Sequence, residues 1–265
     1  MKNPRSCYWD RIGNGTAHAI AVPLWRAYCD QLHSALIGDW NGGCHFRSAL
    51  KTDLFDEAMG CGLVPLLMER ADAVHGIDLA AEMVEKASAS NPQLRASVGD
   101  VRRLNFADGS FELIISNSTL DHFQQAEDIE RSLVELRRVL APGGLMLVTL
   151  DNPQNPIVTL RNLLPKSLLG LSSLAPYFVG HTYSLPQLES ALTRNRLQVV
   201  RRGHLMHVPR VAFLHLCRLI RSEGRIGRTL LQSMLATERL AGWPTSRYSG
   251  HFVAVLAQKP RIEFR

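Results

Sequence analysis

The chain has no CxxC pair. Its five cysteines, Cys7, Cys29, Cys44, Cys61 and Cys217, are odd in number and scattered. Such spacing argues against a disulfide framework or a zinc site and fits a reduced, cytoplasmic compartment. No cluster with metal-ligand spacing and no catalytic cysteine motif occurs. His204 and His207 form H-x-x-H, but on a strand that spacing faces opposite sides. No apolar run reaches the length needed to span a bilayer. The opening Met1-Lys2-Asn3-Pro4-Arg5-Ser6 has no apolar stretch behind it, so no signal peptide is expected. Repeats and low-complexity segments are also lacking. What is present is an ordinary globular composition: 265 residues, 46% hydrophobic and 20% charged. That is enough for a sizeable core in one large α/β domain or one domain with insertions.

Charge is unevenly spread. The net charge is +6, with most acidic residues in the first half and the arginine excess in the second. Residues 194–228 hold nine arginines and one acidic residue, Glu223. A solvated face, an anionic substrate, an anionic membrane surface and nucleic acid all remain open as readings. Phe213 is the one Phe, Tyr or Trp there, so base stacking lacks its usual platform. Val211, Leu214, Leu216, Leu219 and Ile220 give an apolar face edged by arginine, which suits a membrane surface or a cover over a greasy acceptor.

Periodicity predicts one or two N-terminal helices over 17–38, with Trp25, Tyr28, Leu32 and Leu36 at helical spacing and Pro23 near a break. Leu54-Phe55 reads as the opening of a first strand that ends at Gly60-Cys61-Gly62, with Pro65 starting the next helix. Further strands are expected at Ala73–Asp78, Leu94–Val98, Leu113–Ser116 and Leu145–Leu150, with helices over Ala80–Ala89 and Ala126–Leu140. Strand and helix alternate, which predicts a Rossmann-like α/β fold, a doubly wound and mostly parallel sheet with helices on both faces. Residues 152–180 read as a partly helical cap. Ser184 caps a helix over Leu185–Asn195, a strand follows at Leu197–Arg202, and 209–247 holds two more helices. An antiparallel strand, His251–Ala257, completes seven. The expected organisation is one domain over 1–265: N-terminal helices 1–48, a cofactor-binding core 50–151, a cap insert 152–180, core 181–208, a helical insert 209–247 and a last strand 248–258.

Three groups close apolar runs: Gly76-Ile77-Asp78, Gly99-Asp100 and Ser116-Asn117-Ser118. Asp78 comes about 20 residues after Gly60 and Gly62, the spacing at which a sheet grips a nucleoside, its carboxylate on the ribose hydroxyls. An adenosine-containing cofactor is expected. Blander roles stay open: a plain strand–helix turn for the glycines, a helix N-cap for Asp78, a loop position for Asp100 and a turn for Asn117.

The stretch Gly99-Asp100-Val101-Arg102-Arg103-Leu104-Asn105-Phe106-Ala107-Asp108-Gly109-Ser110-Phe111-Glu112-Leu113-Ile114-Ile115-Ser116-Asn117, with Arg138-Val139-Leu140-Ala141-Pro142-Gly143-Gly144, resembles the class I S-adenosylmethionine (SAM) dependent methyltransferases. The likeness is to the small-molecule type 11 or UbiE-like group, over roughly 50–205 plus the last strand. The resemblance implies SAM as cofactor, with Gly60 and Gly62 against its methionine part, Asp78 at the ribose, Asp100 at the adenine amino group, Val101 on the ring and Leu79 a further cofactor contact. Asn117 then lies where acceptor and methyl meet. Asp121 and His122 are the acid–imidazole pair nearest the site and the candidate catalytic residues. His181 and Tyr183 sit where an acceptor lid usually enters. The first motif departs from the family: Val64 replaces its third glycine and Ala58 its acidic residue. Asp56 and Glu57 lie just before, and Glu57 is expected to take the acidic role. The implied activity is methyl transfer to a small or lipid-like, anionic acceptor, with peripheral membrane contact through 194–228. An RNA or nucleotide methyltransferase and a catalytically silent SAM-fold binding protein are the alternatives.

Overall fold

Successive residues of the central strands point into different cores. Ala49, Leu113, Ile115 and Leu147 pack on one side of the sheet. Their neighbours Leu50, Ile114, Met146 and Val148 pack on the other. Burial on both faces is what a parallel sheet between helices requires, and it explains the unbroken apolar run at 113–115. The computed structural model describes residues 22–60, 62–164 and 179–261; residues 17–21, Cys61 and 165–178 of the expected elements lie outside these.

The strands are β1 (Phe46–Lys51), β2 (Ala71–Asp78), β3 (Arg95–Val98), β4 (Phe111–Asn117), β5 (Leu140–Asp151), β6 (Gln198–Leu205) and β7 (Phe252–Gln258). They form one sheet in the order β3-β2-β1-β4-β5-β7-β6. β7 runs antiparallel to both neighbours, and the pairings among β1 to β5 are parallel. The helices are α1 (Pro23–Asn41), α2 (Phe55–Met59), α3 (Val64–Arg70), α4 (Ala81–Ser90), α5 (Ala126–Val139), α6 (Pro156–Leu163), α7 (Leu185–Arg194), α8 (Arg210–Leu219), α9 (Arg225–Ala236) and α10 (Ser246–Ser249). In α5, Ile129, Leu133, Leu136 and Val139 are buried at spacings of three and four. Each such side chain contributes about 1.5–3 kcal/mol. Its first turn carries Glu127 and Asp128 and its last Arg137 and Arg138, the order the helix dipole favours. Ser184 caps α7 in a capping box with Gln187. Helices α1, α8 and α9 share a third core with Met206 and Phe252.

One expectation needs correction. The first strand is not at 54–62 but at Phe46–Lys51. Lys51 breaks the apolar pattern at its end, and Leu54 is apolar because it is fully buried beside Gly76, where an added Cβ would come within 2.6 Å of it. Pro23 stands at a helix boundary, opening α1 at the first turn, where its missing N–H costs nothing. The Pro142-Gly143-Gly144 turn is absorbed into β5 as an irregularity, opposite the step from Phe111 to Leu113. Arg138 of the same motif donates to the carbonyls of Leu104 (2.9 Å) and Phe106 (2.7 Å), so it staples the loop before β4.

Candidate cofactor and acceptor site

The strand order reverses between β1 and β4. Open α/β sheets bind ligands at such a switch point, beyond the carboxyl ends of the strands. A cavity lies there. Thr52 and Asp53 line it after β1, Asp78 and Leu79 at the end of β2, Gly99, Asp100 and Val101 after β3, and Asn117, Ser118 and Thr119 after β4. The opposite wall carries Trp25, Cys29 and His33 of α1, with Phe55, Met206, Arg210 and Phe252.

Asp78 accepts the Ala80 amide at 2.8 Å and the Leu54 amide at 3.0 Å. Helix α4 begins later, capped by Ala80 without a side-chain bond, so Asp78 is not its N-cap. Burial, then the nearby charge of Asp53, push the Asp78 carboxyl up to about 6, against the two amides. Asp100 is gripped by Arg102, whose Nη2 lies 2.6 Å from Oδ2 and Nε 2.9 Å from Oδ1. That guanidinium also covers the Phe123 ring at 5.0 Å. Asn117 is buried, and among the described residues its Oδ1 has no hydrogen-bond donor. An orphaned buried acceptor costs about 1–3 kcal/mol, and a ligand in the cavity it lines can supply the donor. Ser118 holds a left-handed φ of 48°, fixed by its amide on the Thr149 carbonyl (3.0 Å) and its hydroxyl on Asp121 Oδ2 (2.9 Å).

Asp78, Leu79, Asp100, Val101, Asn117 and His122 therefore meet in one cavity. Six expected residues do not. Glu57 is 0% exposed; its Oε2 lies 2.8 Å from Lys51 Nζ and its Oε1 accepts the Leu63 amide at 2.9 Å. The cause is the register: α2 turns this carboxylate under the sheet end. Gly60 and Gly62 are likewise outside the lining. Gly62, at φ 55°, is needed for packing, since a Cβ would sit 2.3 Å from Glu57 Oε1. Asp121 is fully buried and spends Oδ2 on Ser118 and the Asp151 amide (2.9 Å), so it does not face an acceptor beside His122. Tyr183 packs into the core and donates to Glu130 at 3.3 Å, and His181 stands at the surface against its ring.

The sequence reading missed Asp53, Thr52, Met83, Arg26, His33 and Arg210, which also line the cavity. The polar Lys51-Thr52-Asp53 step at a strand end was the available signal. On the far wall, Arg26 pairs with Asp56. Burial lowers the His33 pKa and keeps the imidazole neutral, and burial pushes the Cys29 thiol up to about 12, which excludes a thiolate nucleophile. Arg210 Nη1 donates to His251 Nε2 at 2.9 Å. Burial pushes His251 down to about 3, so it is neutral with its proton on Nδ1, and its 3.6 Å approach to Asp151 is no ion pair. Asp151 pairs with Arg161 instead. Among the described residues, no group of three or more His, Cys, Asp or Glu is placed to hold a metal ion.

Residues 58–148 match the family model described as a methyltransferase domain. A malonyl-[acyl-carrier protein] O-methyltransferase of Halorhodospira halophila is 38% identical over 88 residues, 32% of this chain and 29% of that one. A demethylmenaquinone methyltransferase of Chlorobaculum parvum is 28% identical over 149 residues, 52% of this chain and 61% of that one. The chain thus spans less than two thirds of either relative. Among solved structures, the [4+2]-cyclase SpnF superposes with a TM-score of 0.57 at 14% identity, over 95% of this chain and 96% of that one. A SAM-dependent methyltransferase from Methanosarcina mazei gives 0.56 at 16% identity, over 85% and 97%. In sequence over its centre, and in fold over most of its length, the chain is similar to the class I methyltransferases. The presence of a cyclase among the neighbours shows that the fold alone does not fix the reaction.

Proposed function

We propose that this chain binds SAM in the crevice between β1 and β4 and directs methyl transfer to a small or lipid-like acceptor. The observation that carries the reading is the set of acceptors converging there: Asp53, Asp78 and the orphaned Asn117 Oδ1, beside apolar Leu79, Met83 and Val101. They fit ribose hydroxyls, an adenine ring and a cationic tail. They do not fit a pyrophosphate, which adjacent carboxylates repel. When bound, the cofactor supplies an already activated methyl group. The chain's own task is to bind, orient and exclude water. Asp78 accepts from the ribose, Val101 and Leu79 flank the ring, and Asn117 faces the junction with the acceptor. Trp25, Phe55, Met206 and Phe252 keep that end dry. His122 is the group available to take an acceptor proton, with neutral His33 on the facing wall. In this reading the described residues act as one unit, with 209–247 forming a cap.

The apolar wall together with Arg210 suits an acceptor with an apolar body and an anionic group. Of the relatives' named acceptors, demethylmenaquinone has the apolar body and malonyl-[acyl-carrier protein] the anionic carboxylate. The experiment is incubation of the protein with methyl-labelled SAM and a cell extract, followed by separation into organic, aqueous small-molecule and RNA fractions. Label is expected in the organic or small-molecule fraction. Label in RNA would favour the nucleic-acid alternative. No transfer, despite cofactor binding, would favour a silent binding protein.

A further inference from the structure

We propose that Asp53 is the residue that holds the cofactor's methionine amino group, aimed there by a buried Lys51–Glu57 ion pair that replaces the family's acidic first motif. This rests on the SAM reading above. The family pattern calls for a carboxylate at the end of the first strand. Here β1 ends in a lysine, and the chain rebuilds the charge layout around it. Lys51 is 1% exposed; its Nζ donates to the Asp53 carbonyl at 2.6 Å and lies 2.8 Å from Glu57 Oε2. Glu57 is locked by the Leu63 amide and roofed by Gly62. Both charges are thus consumed inside the fold. Asp56 also lines the cavity, but its carboxylate is paired with Arg26 on the far wall. Asp53 remains. Its side chain is 23% exposed and lines the cavity, and its Oδ1 accepts the Phe55 amide at 2.9 Å. Nζ of Lys51 stands 4.0 Å from the same oxygen, at the edge of an ion pair. Among the described residues, Oδ2 has no donor.

Position is fixed from both sides. Thr52, the residue before, ties the end of β1 to β4 through Ser116 (3.1 Å) and Thr119 (3.0 Å). The Lys51 ammonium holds the Asp53 carbonyl on the interior side, which leaves the carboxylate toward the crevice. Asp53 is close enough to Asp78 for its charge to push the Asp78 carboxyl up. Two neighbouring carboxylates at one mouth select a ligand end that is cationic and rich in donors. Asp78, at the end of β2, is left for the ribose, so the aminocarboxypropyl end falls to Asp53.

The test compares S-adenosylhomocysteine, which carries the amino acid tail, with 5′-methylthioadenosine, which lacks it. Calorimetric affinities are measured for the parent, Asp53→Asn and Asp78→Asn. Asn at 53 keeps an oxygen for the Phe55 amide, and Asp53→Ser, which can also accept that bond, serves as a second variant. Asp53→Asn and Asp53→Ser are expected to weaken S-adenosylhomocysteine by about tenfold to a hundredfold, the worth of one charged hydrogen bond. They should leave 5′-methylthioadenosine unchanged. Asp78→Asn should weaken both ligands alike. Equal effects of the position-53 variants on both ligands, or no effect on either, would overturn the assignment while leaving the cofactor reading intact. A parent that binds neither ligand would overturn the cofactor reading and the assignment with it.

Discussion

Asp78, the proposed ribose ligand, sits uneasily in the free protein. Its native pKa, about 6, lies above the ordinary aspartate value of about 3.9. Between those values the folded state binds a proton that the unfolded state does not, so the contribution of Asp78 to stability falls as pH rises through that window. Ligand binding has the opposite sign, because hydroxyls and cations favour the ionised carboxylate. The affinity of the parent for S-adenosylhomocysteine is therefore expected to fall as pH drops below about 6, by up to about tenfold per unit. Asp78→Asn should be weaker and flat over the same range. Titration calorimetry from pH 5 to 8 checks both. Asp78 itself was legible in the sequence because a carboxylate closing an apolar run at a fixed distance from a turn is a local pattern. So were Asp100, Val101 and Asn117, which sit within one contiguous motif. Asp53 was not legible, since its role depends on where Lys51, Glu57 and Asp56 find partners, and those are decided in space.

At the scale of elements, the same distinction separates what could be read from what could not. Strands β2, β4 and β5 and helix α5 announce themselves through a strong apolar period. β1 does not, because it ends in a lysine whose partner is an α2 glutamate six residues later. Glycines 60 and 62 resembled a cofactor turn, yet Gly62 serves the Lys51–Glu57 pair. Removing one member of a buried ion pair leaves the other uncompensated, so Lys51→Met should destabilise the fold by about 3–5 kcal/mol. Lys51→Met with Glu57→Leu should recover much of the loss. Chemical denaturation of the two single variants and the double variant gives the coupling directly. A second junction ties the turn after α9 to α1 and to the end of β6. Glu238, in the turn after α9, accepts the Tyr28 hydroxyl (2.9 Å) and the amides of Met206 and His207 (both 3.0 Å). Glu238→Ala strips acceptors from three donors, and about 2–4 kcal/mol is expected to be lost. Because Met206 lines the cavity, amide exchange should rise around 204–208 and in α1 before it rises in β4.

For the molecule as a whole, the arginine-rich region takes a definite place. Leu219 and Ile226, 84% and 72% exposed, flank the turn between α8 and α9, among exposed Arg221, Arg225 and Arg228. No described helix is long and apolar enough to cross a membrane, whereas this corner has the apolar and cationic make-up of a surface contact. Under the proposal of a lipid-like acceptor, the protein should float with vesicles of phosphatidylcholine containing anionic phosphatidylglycerol and not with pure phosphatidylcholine. Arg221→Glu with Arg225→Glu should abolish flotation, and added salt should weaken it in the parent. Salt-sensitive binding to RNA without flotation would instead support the nucleic-acid reading.

The placement of β7 bears on the order in which the protein can be finished. The strand that comes latest in the described chain lies inside the sheet, between β5 and β6, and not at its border. During synthesis, β1 to β5 can pair as they emerge, while β6 has no neighbour until Phe252–Gln258 arrives. Until then two rows of unpaired backbone stand open, the kind of border that recruits other chains. Phe252 is also a wall of the cavity. The growing polypeptide thus acquires the Phe252 wall of the pocket and the strand that joins β5 to β6 in the same late step, so a ligand that needs that wall selects for chains whose sheet interior is already paired.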